Sequence, residues 1–305
     1  MTKPILVTGA TGKQGGSVVD ALLAQPNASD STILGVTRNP SSASAQKLKN
    51  KSPLVKVVQG DYADLPGLFK SASAATSQPV WGVFSLQTPE KPALEAQQGK
   101  ALVDEALKHG VKHFVYTSVD RGGNEKSWND ATFVPHFASK HEIELHLRDR
   151  AKGTDMSWTI LRPVAFMDNF APGFPMKVFL AAWKETLGTE GTLQMISTSD
   201  IGHYAASSFV NPTAYNGRAI GLAGDNVSYT DIQNKLKQQK GYEIPATFGF
   251  LGKALMWGVG DMGAMMKWFA TDGYGVDIPA LRREHPALMD FETWLQKRSA
   301  FEKKN

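Results

Sequence analysis

Residues 5–23 have the sequence ILVTGATGKQGGSVVDALL. An apolar run is followed by a glycine-rich loop, in which Gly9, Gly12 and Gly15 are regularly spaced, and then by a stretch with helical periodicity. In a strand–turn–helix unit the first glycine permits a tight turn, the second lets a pyrophosphate approach the backbone, and the third lets helix and strand pack closely. Main-chain N–H groups and the helix dipole then hold the anion. The stretch therefore predicts a dinucleotide-binding loop.

The surrounding chain favours this interpretation over an ordinary glycine turn. The spacing differs from that of a P-loop, because Lys13 follows Gly9 too closely. Short β-branched runs alternate with helical segments through the first half of the chain. The predicted strands cover residues 4–8, 31–37, 55–59, 80–86, 113–118 and 157–162, and the predicted helices cover 15–23, 92–109 and 135–151. This alternation is typical of an α/β Rossmann fold with a doubly wound parallel sheet.

The pattern changes after residue 163. Alternation weakens there, and the prolines and glycine within residues 172–175 interrupt any regular period. We expect a Rossmann domain over residues 1–165 and a smaller, mostly helical C-terminal subdomain over residues 166–305, with segments that can interleave. Residues 286–301 are predicted to form a last, amphipathic helix.

The composition limits the classes of partner. The 305 residues are 42% hydrophobic, which is enough for a large core. The formal net charge is +4, but the 33 basic residues are scattered along the chain, so a small anionic ligand accounts for the charge as well as nucleic acid does. Direct nucleic-acid binding is therefore not expected, and the oligomeric state is left open.

The cellular location is predicted from three features. The absence of cysteine excludes disulfides and thiolate metal ligands and favours a reducing compartment. The first strand begins too early to leave room for a cleavable leader. Lys253, Asp261 and Lys267 interrupt the apolar stretch 248–269, which argues against a membrane span. We expect the protein in the cytoplasm or the nucleus.

The end of the second predicted strand favours NADP(H) over NAD(H). NAD sites usually carry an acidic residue there for the ribose 2′-hydroxyl, whereas this chain has Val36, Thr37 and Arg38. Arg38 could pair with a 2′-phosphate, and Lys13 could add a second positive charge. The alternative is that both are solvated surface cations.

Other polar residues follow the ends of predicted strands. Asp61 could accept a hydrogen bond from the adenine amino group, or it could cap a helix. Gln87 could line the nicotinamide pocket, or it could be an ordinary polar loop residue. The predicted cofactor-binding residues are Gly9, Thr11, Gly12, Lys13, Gln14, Gly15, Arg38, Asp61, Tyr62, Gln87, Lys140 and Pro163.

Four segments carry a resemblance to a known family. VTGATGKQGGSVVDALL, GDYAD, VYTSVD and VPHFASK together resemble the NmrA-like group of atypical short-chain dehydrogenases, which includes fungal nitrogen-regulation repressors and redox-sensing relatives. The resemblance runs from residue 4 to about residue 205. It implies an NADP(H)-binding domain and a small C-terminal subdomain that frames a cleft.

Residues 136–140, HFASK, raise the question of catalysis. Ordinary short-chain dehydrogenases use a tyrosine four residues before a lysine, with a serine at the end of the fifth strand. Ser118 and Lys140 occupy such positions, but His136 replaces the tyrosine. His136 could donate a proton near neutral pH, or it could be a first-turn helix residue without chemistry, the interpretation we favour. Lys140 is expected to contact the nicotinamide ribose, with a solvated helix lysine as the alternative.

The remaining features do not indicate chemistry. The clustered histidines lack the i, i+4 pairing with a carboxylate that a zinc helix shows, since His141 and His146 in HEIELH are five residues apart, so no metal is implied. Tyr116 shares a strand face with Ser118 and is expected to pack. The methionine-rich segment 256–266 could form a lid over a cleft or part of the core, and methionine stripes are more often core.

Two functions of different class follow. In the first, which we favour because the tyrosine is missing, the protein is a redox-sensing regulator whose NADP(H) state is recognised by a protein partner. In the second, it is an NADPH-dependent reductase of a small carbonyl, quinone or enone. Reductases related to isoflavone reductase keep the lysine and lack the tyrosine, so the second function stays open.

Overall fold

The computed structural model describes residues 2–88, 91–244 and 261–302. In these residues the strands are β1 (Lys3–Val7), β2 (Ser31–Thr37), β3 (Val55–Gln59), β4 (Gly82–Ser85), β5 (His113–Thr117), β6 (Ser157–Pro163), β7 (Ala165–Phe166), β8 (Thr192–Ile196), β9 (Arg218–Leu222) and β10 (Asp225–Ser228). The helices are α1 (Lys13–Leu23), α2 (Ala43–Lys49), α3 (Leu65–Thr76), α4 (Pro92–Lys108), α5 (Asn124–Asn129), α6 (Pro135–Ala151), α7 (Phe174–Leu187), α8 (Thr198–Val210), α9 (Pro212–Tyr215), α10 (Tyr229–Lys240), α11 (Met262–Thr271), α12 (Ile278–Glu284) and α13 (Phe291–Lys297). Among these helices none has the length and apolar character needed to cross a membrane.

A seven-stranded sheet with flanking helices carries the fold, in the order β3-β2-β1-β4-β5-β6-β9. Strand β1 pairs in parallel with β2 and β4, and the pairs β2–β3, β4–β5 and β5–β6 are parallel too. The predicted Rossmann-type fold is confirmed, and all six predicted strands are present with small shifts of their ends. Because strand order reverses between β1 and β4, the carboxyl ends of these strands form the switch point where such sheets bind ligands.

The chain folds as two compact units that alternate along the sequence. Unit 1 consists of Met1–Val119, Ser139–Arg162 and Thr198–Ile220, and unit 2 consists of Asp120–Ala138, Pro163–Ser197 and Gly221–Asn305. In unit 1, α8 packs against α1 although it comes from a distant part of the chain. Strands β4 and β5 are buried along their whole length, as expected for central parallel strands with both faces covered.

A buried ion pair fixes helix α6 within unit 1. Nη2 of Arg162, on β6, lies 2.7 Å from Oε2 of Glu144, and Nε donates to Oε1 at 3.1 Å. Both side chains are fully buried. A two-pronged contact of this kind defines an orientation as well as a distance. It therefore sets the rotation of α6, which carries Lys140 one turn before Glu144.

Unit 2 contains a second sheet that the sequence did not predict. Strand β8 pairs antiparallel with β10 and parallel with β7. In the same unit, Trp268 of α11 packs edge-on against Phe137 of α6, with ring centroids 5.1 Å apart. Met266 is buried, so the described end of the methionine-rich segment belongs to the core. Residues 256–260 of that segment lie outside the described residues.

The prediction of one helix over residues 286–301 was wrong. The last helix, α13, covers only Phe291–Lys297. The side chain of Asp290 accepts a hydrogen bond from the backbone N–H of Thr293 at 2.7 Å. Aspartate is among the strongest N-cap residues, so the helix begins after Asp290 rather than at Pro286.

His113 is a titratable side chain in the middle of unit 1. It lies on β5, fully buried, with Nδ1 2.8 Å from the Ser157 hydroxyl and Nε2 3.3 Å from that of Thr159. The edge of the ring packs on Phe209, with centroids 5.7 Å apart. Burial, with a smaller repulsion from Lys3, lowers the pKa of His113 to about 4.

This histidine makes stability sensitive to acid. The unfolded chain binds a proton on His113 near its ordinary pKa of about 6.5, whereas the folded chain does so only near 4, so acid favours unfolding between these values. We expect His113 to contribute a loss of about 3 kcal/mol in unfolding free energy across that window. Denaturant unfolding at a series of pH values measures it. The dependence of unfolding free energy on pH between these values should be weaker in His113→Gln and unchanged in the control His109→Gln. The same pH dependence in both variants would contradict the assignment.

Candidate functional site

The glycine loop holds its backbone in a conformation that side chains would not permit. Gly9 has a φ of +62°, and a Cβ there would lie 2.3 Å from the Leu86 side chain. A Cβ on Gly15 would lie 2.3 Å from the carbonyl oxygen of Gly9. The Gly12 N–H donates to that same carbonyl at 2.9 Å. The loop is therefore pressed directly against the first turn of α1.

The first turn of α1 is suited to an anion. Gly12 is the N-cap residue, no side chain accepts a hydrogen bond from the helix start, and the first turn has no acidic residue. Thr11 and Lys13 are exposed beside it. Gln14 is buried, and its Oε1 has no hydrogen-bond partner in the described part of the chain. The N–H groups of a helix start and the positive end of its dipole favour a negatively charged ligand here.

A cleft of about 440 Å³ lies at the carboxyl ends of β2 and β3. Exposed Arg38 and Asp61 line it. Asp61 does not cap a helix, because α3 is capped by Asp64, whose side chain accepts from the Gly67 N–H at 2.9 Å. Asp61 instead accepts from the Ala63 N–H at 2.6 Å through Oδ1. Of the two interpretations of Asp61, the helix cap is wrong.

Tyr62 and Gln87 belong to one buried network at the end of β4. The Tyr62 hydroxyl donates to the Leu86 carbonyl at 2.5 Å. Nε2 of Gln87 donates to the hydroxyls of Ser85 at 2.8 Å and Tyr62 at 3.3 Å. Burial raises the pKa of Tyr62 to about 12, so its phenol stays protonated near neutral pH. Gln87 is therefore not an ordinary loop residue exposed to solvent.

Lys140 lies in a polar cluster. Its Nζ is 2.8 Å from Oε1 of Glu95, a residue of α4 whose side chain is fully buried. Nζ also lies 6.0 Å from the ring centroid of Tyr116, on β5. The lysine side chain is 12% exposed. Lys140 is therefore not a solvated helix lysine.

The remaining predicted residues are divided between the two units. Ser118, in unit 1, directly follows β5 and is buried, with its N–H donating to the Leu161 carbonyl at 2.7 Å. Pro163 ends β6 and belongs to unit 2. His136 is in the first turn of α6, also in unit 2, where its Nδ1 lies 3.2 Å from Oδ2 of Asp261.

Some residues of this region were missed in the sequence. Glu95 is the most important, and Ser85 and Thr8 are others, since the Thr8 hydroxyl accepts from the Leu86 N–H at 2.7 Å. Thr117, at the end of β5, has a buried hydroxyl without a partner among the described residues. One feature of the sequence could have pointed to Glu95. It is a carboxylate on the apolar face of a predicted helix, and that helix follows closely after the end of a predicted strand.

The residues of unit 1 fit a dinucleotide. Gly9 and Gly15 form a backbone cradle that a Cβ would fill. The orphaned Oε1 atoms of Gln14 and Gln87 are buried acceptors without partners in the described residues, which an incoming ligand could satisfy. The start of α1 offers N–H groups and positive potential for a diphosphate.

Comparisons with known proteins agree with this geometry. The model of the NmrA-like family matches residues 1–294. The chain is 29% identical, over 247 residues, to an NmrA-like family domain-containing oxidoreductase from Cladobotryum sp., a match that covers 72% of this chain and 68% of the relative.

Two solved structures show the same fold. One is a triphenylmethane reductase from Citrobacter sp. complexed with NADP(H), with 23% identity and a TM-score of 0.72 over 96% of this chain and 99% of that one. The other is NmrA, a negative transcriptional regulator, with 16% identity and a TM-score of 0.70 over 99% of this chain and 96% of that one. One of these proteins is an enzyme and the other a regulator, so the likeness shows the fold alone.

Adding a methyl group at Gly15 should disrupt the loop. In Gly15→Ala the new Cβ would meet backbone atoms of Gly9 and Ala10 within 2.9 Å, and we expect the unfolding free energy to fall by about 1–3 kcal/mol. Gly16→Ala is the matched control, because its Cβ would be 3.5 Å from the nearest atom, the Ala10 carbonyl oxygen. Because alanine favours a helix more than glycine does, the unfolding free energy of the control should rise by about 0.5–1 kcal/mol. Denaturant unfolding measures both, and equal losses would contradict the packing described.

Proposed function

The chain belongs to the NmrA-like family, and on that premise we propose that it binds NADP(H) and reduces a small, electron-poor acceptor. The observation that carries the proposal is the uncapped start of α1, packed against a glycine loop at the carboxyl end of β1. Such an end binds a diphosphate through N–H groups alone. When bound, the reduced nicotinamide supplies a hydride.

Each part of the cofactor has candidate partners. Gly9, Thr11, Gly12, Gln14 and Gly15 would hold the diphosphate through the loop and the start of α1. The exposed guanidinium of Arg38, with Lys13, would pair with the 2′-phosphate, and Asp61 would accept from the adenine amino group through its unused Oδ2. The other proposed contacts are Tyr62, Gln87, Lys140 and Pro163.

The side chains near Lys140 favour an acceptor that needs little acid catalysis. A carbonyl gains alkoxide charge when it takes a hydride, so its reduction benefits from a strong proton donor. The tyrosine that would donate is replaced by His136, whose Nδ1 faces Asp261. A quinone that accepts a hydride delocalises the added negative charge and can take the one further proton it needs from water. We therefore place quinones and similar electron-poor acceptors before simple carbonyls, with Lys140 and Ser118 as polar groups near the reaction.

The same replacement supports a second function. A protein that binds NADPH without turning it over could act as a redox sensor whose cofactor state is recognised by a regulatory protein partner. His136 in place of tyrosine favours this alternative, and the fold likeness to NmrA is compatible with it. Both candidates need the same cofactor site, so they differ only in turnover.

Absorbance at 340 nm, the band of reduced nicotinamide, separates the two candidates. We expect purified protein to consume NADPH steadily when a quinone is added, faster than with a simple aldehyde. Lys140→Met should reduce kcat/KM at least tenfold, since it removes a charge-assisted contact worth about 1.5–3 kcal/mol. Tight NADPH binding without consumption across a panel of quinones, enones and aldehydes would exclude the reductase and leave the sensor.

Cofactor preference tests the role of Arg38. Arg38→Ala should weaken NADPH binding by about 1.5–3 kcal/mol and NADH binding much less, because only NADPH carries the 2′-phosphate. Lys49→Ala, which removes an exposed cation from α2, is the control and should change neither. Calorimetry with both nucleotides gives the two dissociation constants. Equal weakening of both by Arg38→Ala would mean that the guanidinium does not contact the phosphate.

A further inference from the structure

Glu95 is a buried carboxylate with both oxygens engaged. It lies in the first turn of α4, its side chain is 0% exposed, and its Oε1 is 2.8 Å from the Lys140 ammonium. Its Oε2 accepts a hydrogen bond from the hydroxyl of Ser139, the neighbour of Lys140 in α6. One carboxylate therefore holds two consecutive residues of α6.

This ion pair is a poor device for stability alone. Removing two charges from water costs free energy that their attraction barely returns, and apolar residues of similar size often serve a core as well. The pair does, however, fix a flexible side chain. Besides its contact with the carboxylate, the lysine ammonium lies over the Tyr116 ring, 6.0 Å from its centroid. In the described part of the chain these are its charged and aromatic contacts, so its other N–H donors are available to a ligand.

Glu95 also influences a second residue of the candidate cofactor site. Its charge contributes to raising the pKa of Tyr62, after the larger effect of burial. Tyr62 is in turn linked to Gln87 through the Gln87 amide. The charge of Glu95 therefore acts on Tyr62 of the network at the end of β4 as well as on Lys140.

We propose that Glu95 is a positioning residue, which orients the Lys140 ammonium toward the hydroxyls of the nicotinamide ribose. The inference rests on the proposed NADP(H) site. Holding the lysine in place before binding avoids the loss of side-chain entropy that would otherwise weaken the complex. Ser139 has a supporting role, because its hydrogen bond fixes the second oxygen of the carboxylate.

The test compares two ligands that differ at the nicotinamide end. NADPH contains the nicotinamide ribose, whereas adenosine 2′,5′-bisphosphate lacks it and keeps the 2′-phosphate. Glu95→Gln retains the shape and removes the charge, so we expect calorimetry to give about tenfold weaker NADPH binding and binding of the fragment within twofold of the wild type. The control is Glu105→Gln, a buried carboxylate on the same helix, paired with Lys108 at 2.9 Å, which should change neither ligand.

A double variant tests whether Glu95 acts through Lys140. Glu95→Gln combined with Lys140→Met should bind NADPH no more weakly than Lys140→Met alone. Additive losses of NADPH affinity in the double variant would overturn the inference. So would a result in which Glu95→Gln weakens the binding of both ligands equally or changes neither. Circular dichroism confirms folding, and if Glu95→Gln does not fold, Ser139→Ala and Glu95→Asp decide, with smaller selective losses expected for NADPH. A wild-type protein that binds neither ligand would instead refute the proposed cofactor site, and the inference with it.

Discussion

The close approach of the glycine loop to the first turn of α1 is the constraint on which the candidate site depends. A Cβ on Gly15 would come within 2.3 Å of the Gly9 carbonyl oxygen, so helix and loop can touch only because this atom is missing. The contact brings the N–H groups at the helix start to the carboxyl end of β1. A capping side chain would satisfy those groups, but the N-cap residue is Gly12, which has none. No capping side chain therefore competes with a ligand for these donors.

The sequence predicted the elements whose signals are local. The strands of the large sheet were evident because buried parallel strands form short β-branched runs, and the glycine loop was evident from its spacing. Gln87 was identified by its place after a predicted strand and Lys140 by its place in the HFASK segment, and the structure shows both in polar networks. The roles of two chemically similar residues close together in sequence, such as Asp61 and Asp64, were harder to tell apart. Only the backbone reveals that Asp64 caps α3.

Features that depend on distant contacts could not be predicted. Glu95 is far from Lys140 in sequence, and a carboxylate near the start of a helix is more often exposed than buried. The return of Thr198–Ile220 to unit 1 has no local marker, although α8 packs there on α1. The small sheet of β7, β8 and β10 is also built from short strands with weak patterns. In each case the tertiary partner, rather than the local sequence, determines the structure.

The two cations assigned to the ends of the cofactor differ in a way that electrostatics explains. Arg38 is exposed, so its charge is solvated before binding and costs little to maintain. The phosphate proposed to meet it brings its own negative charge. Lys140 is nearly buried, and the ribose hydroxyls proposed to meet it are neutral, so no ligand would compensate its charge. Burying an ammonium without a counter-charge costs a large amount of free energy. Glu95 supplies that counter-charge from within unit 1, at 2.8 Å from the Lys140 ammonium, whereas the exposed Arg38 does not need a buried counter-charge.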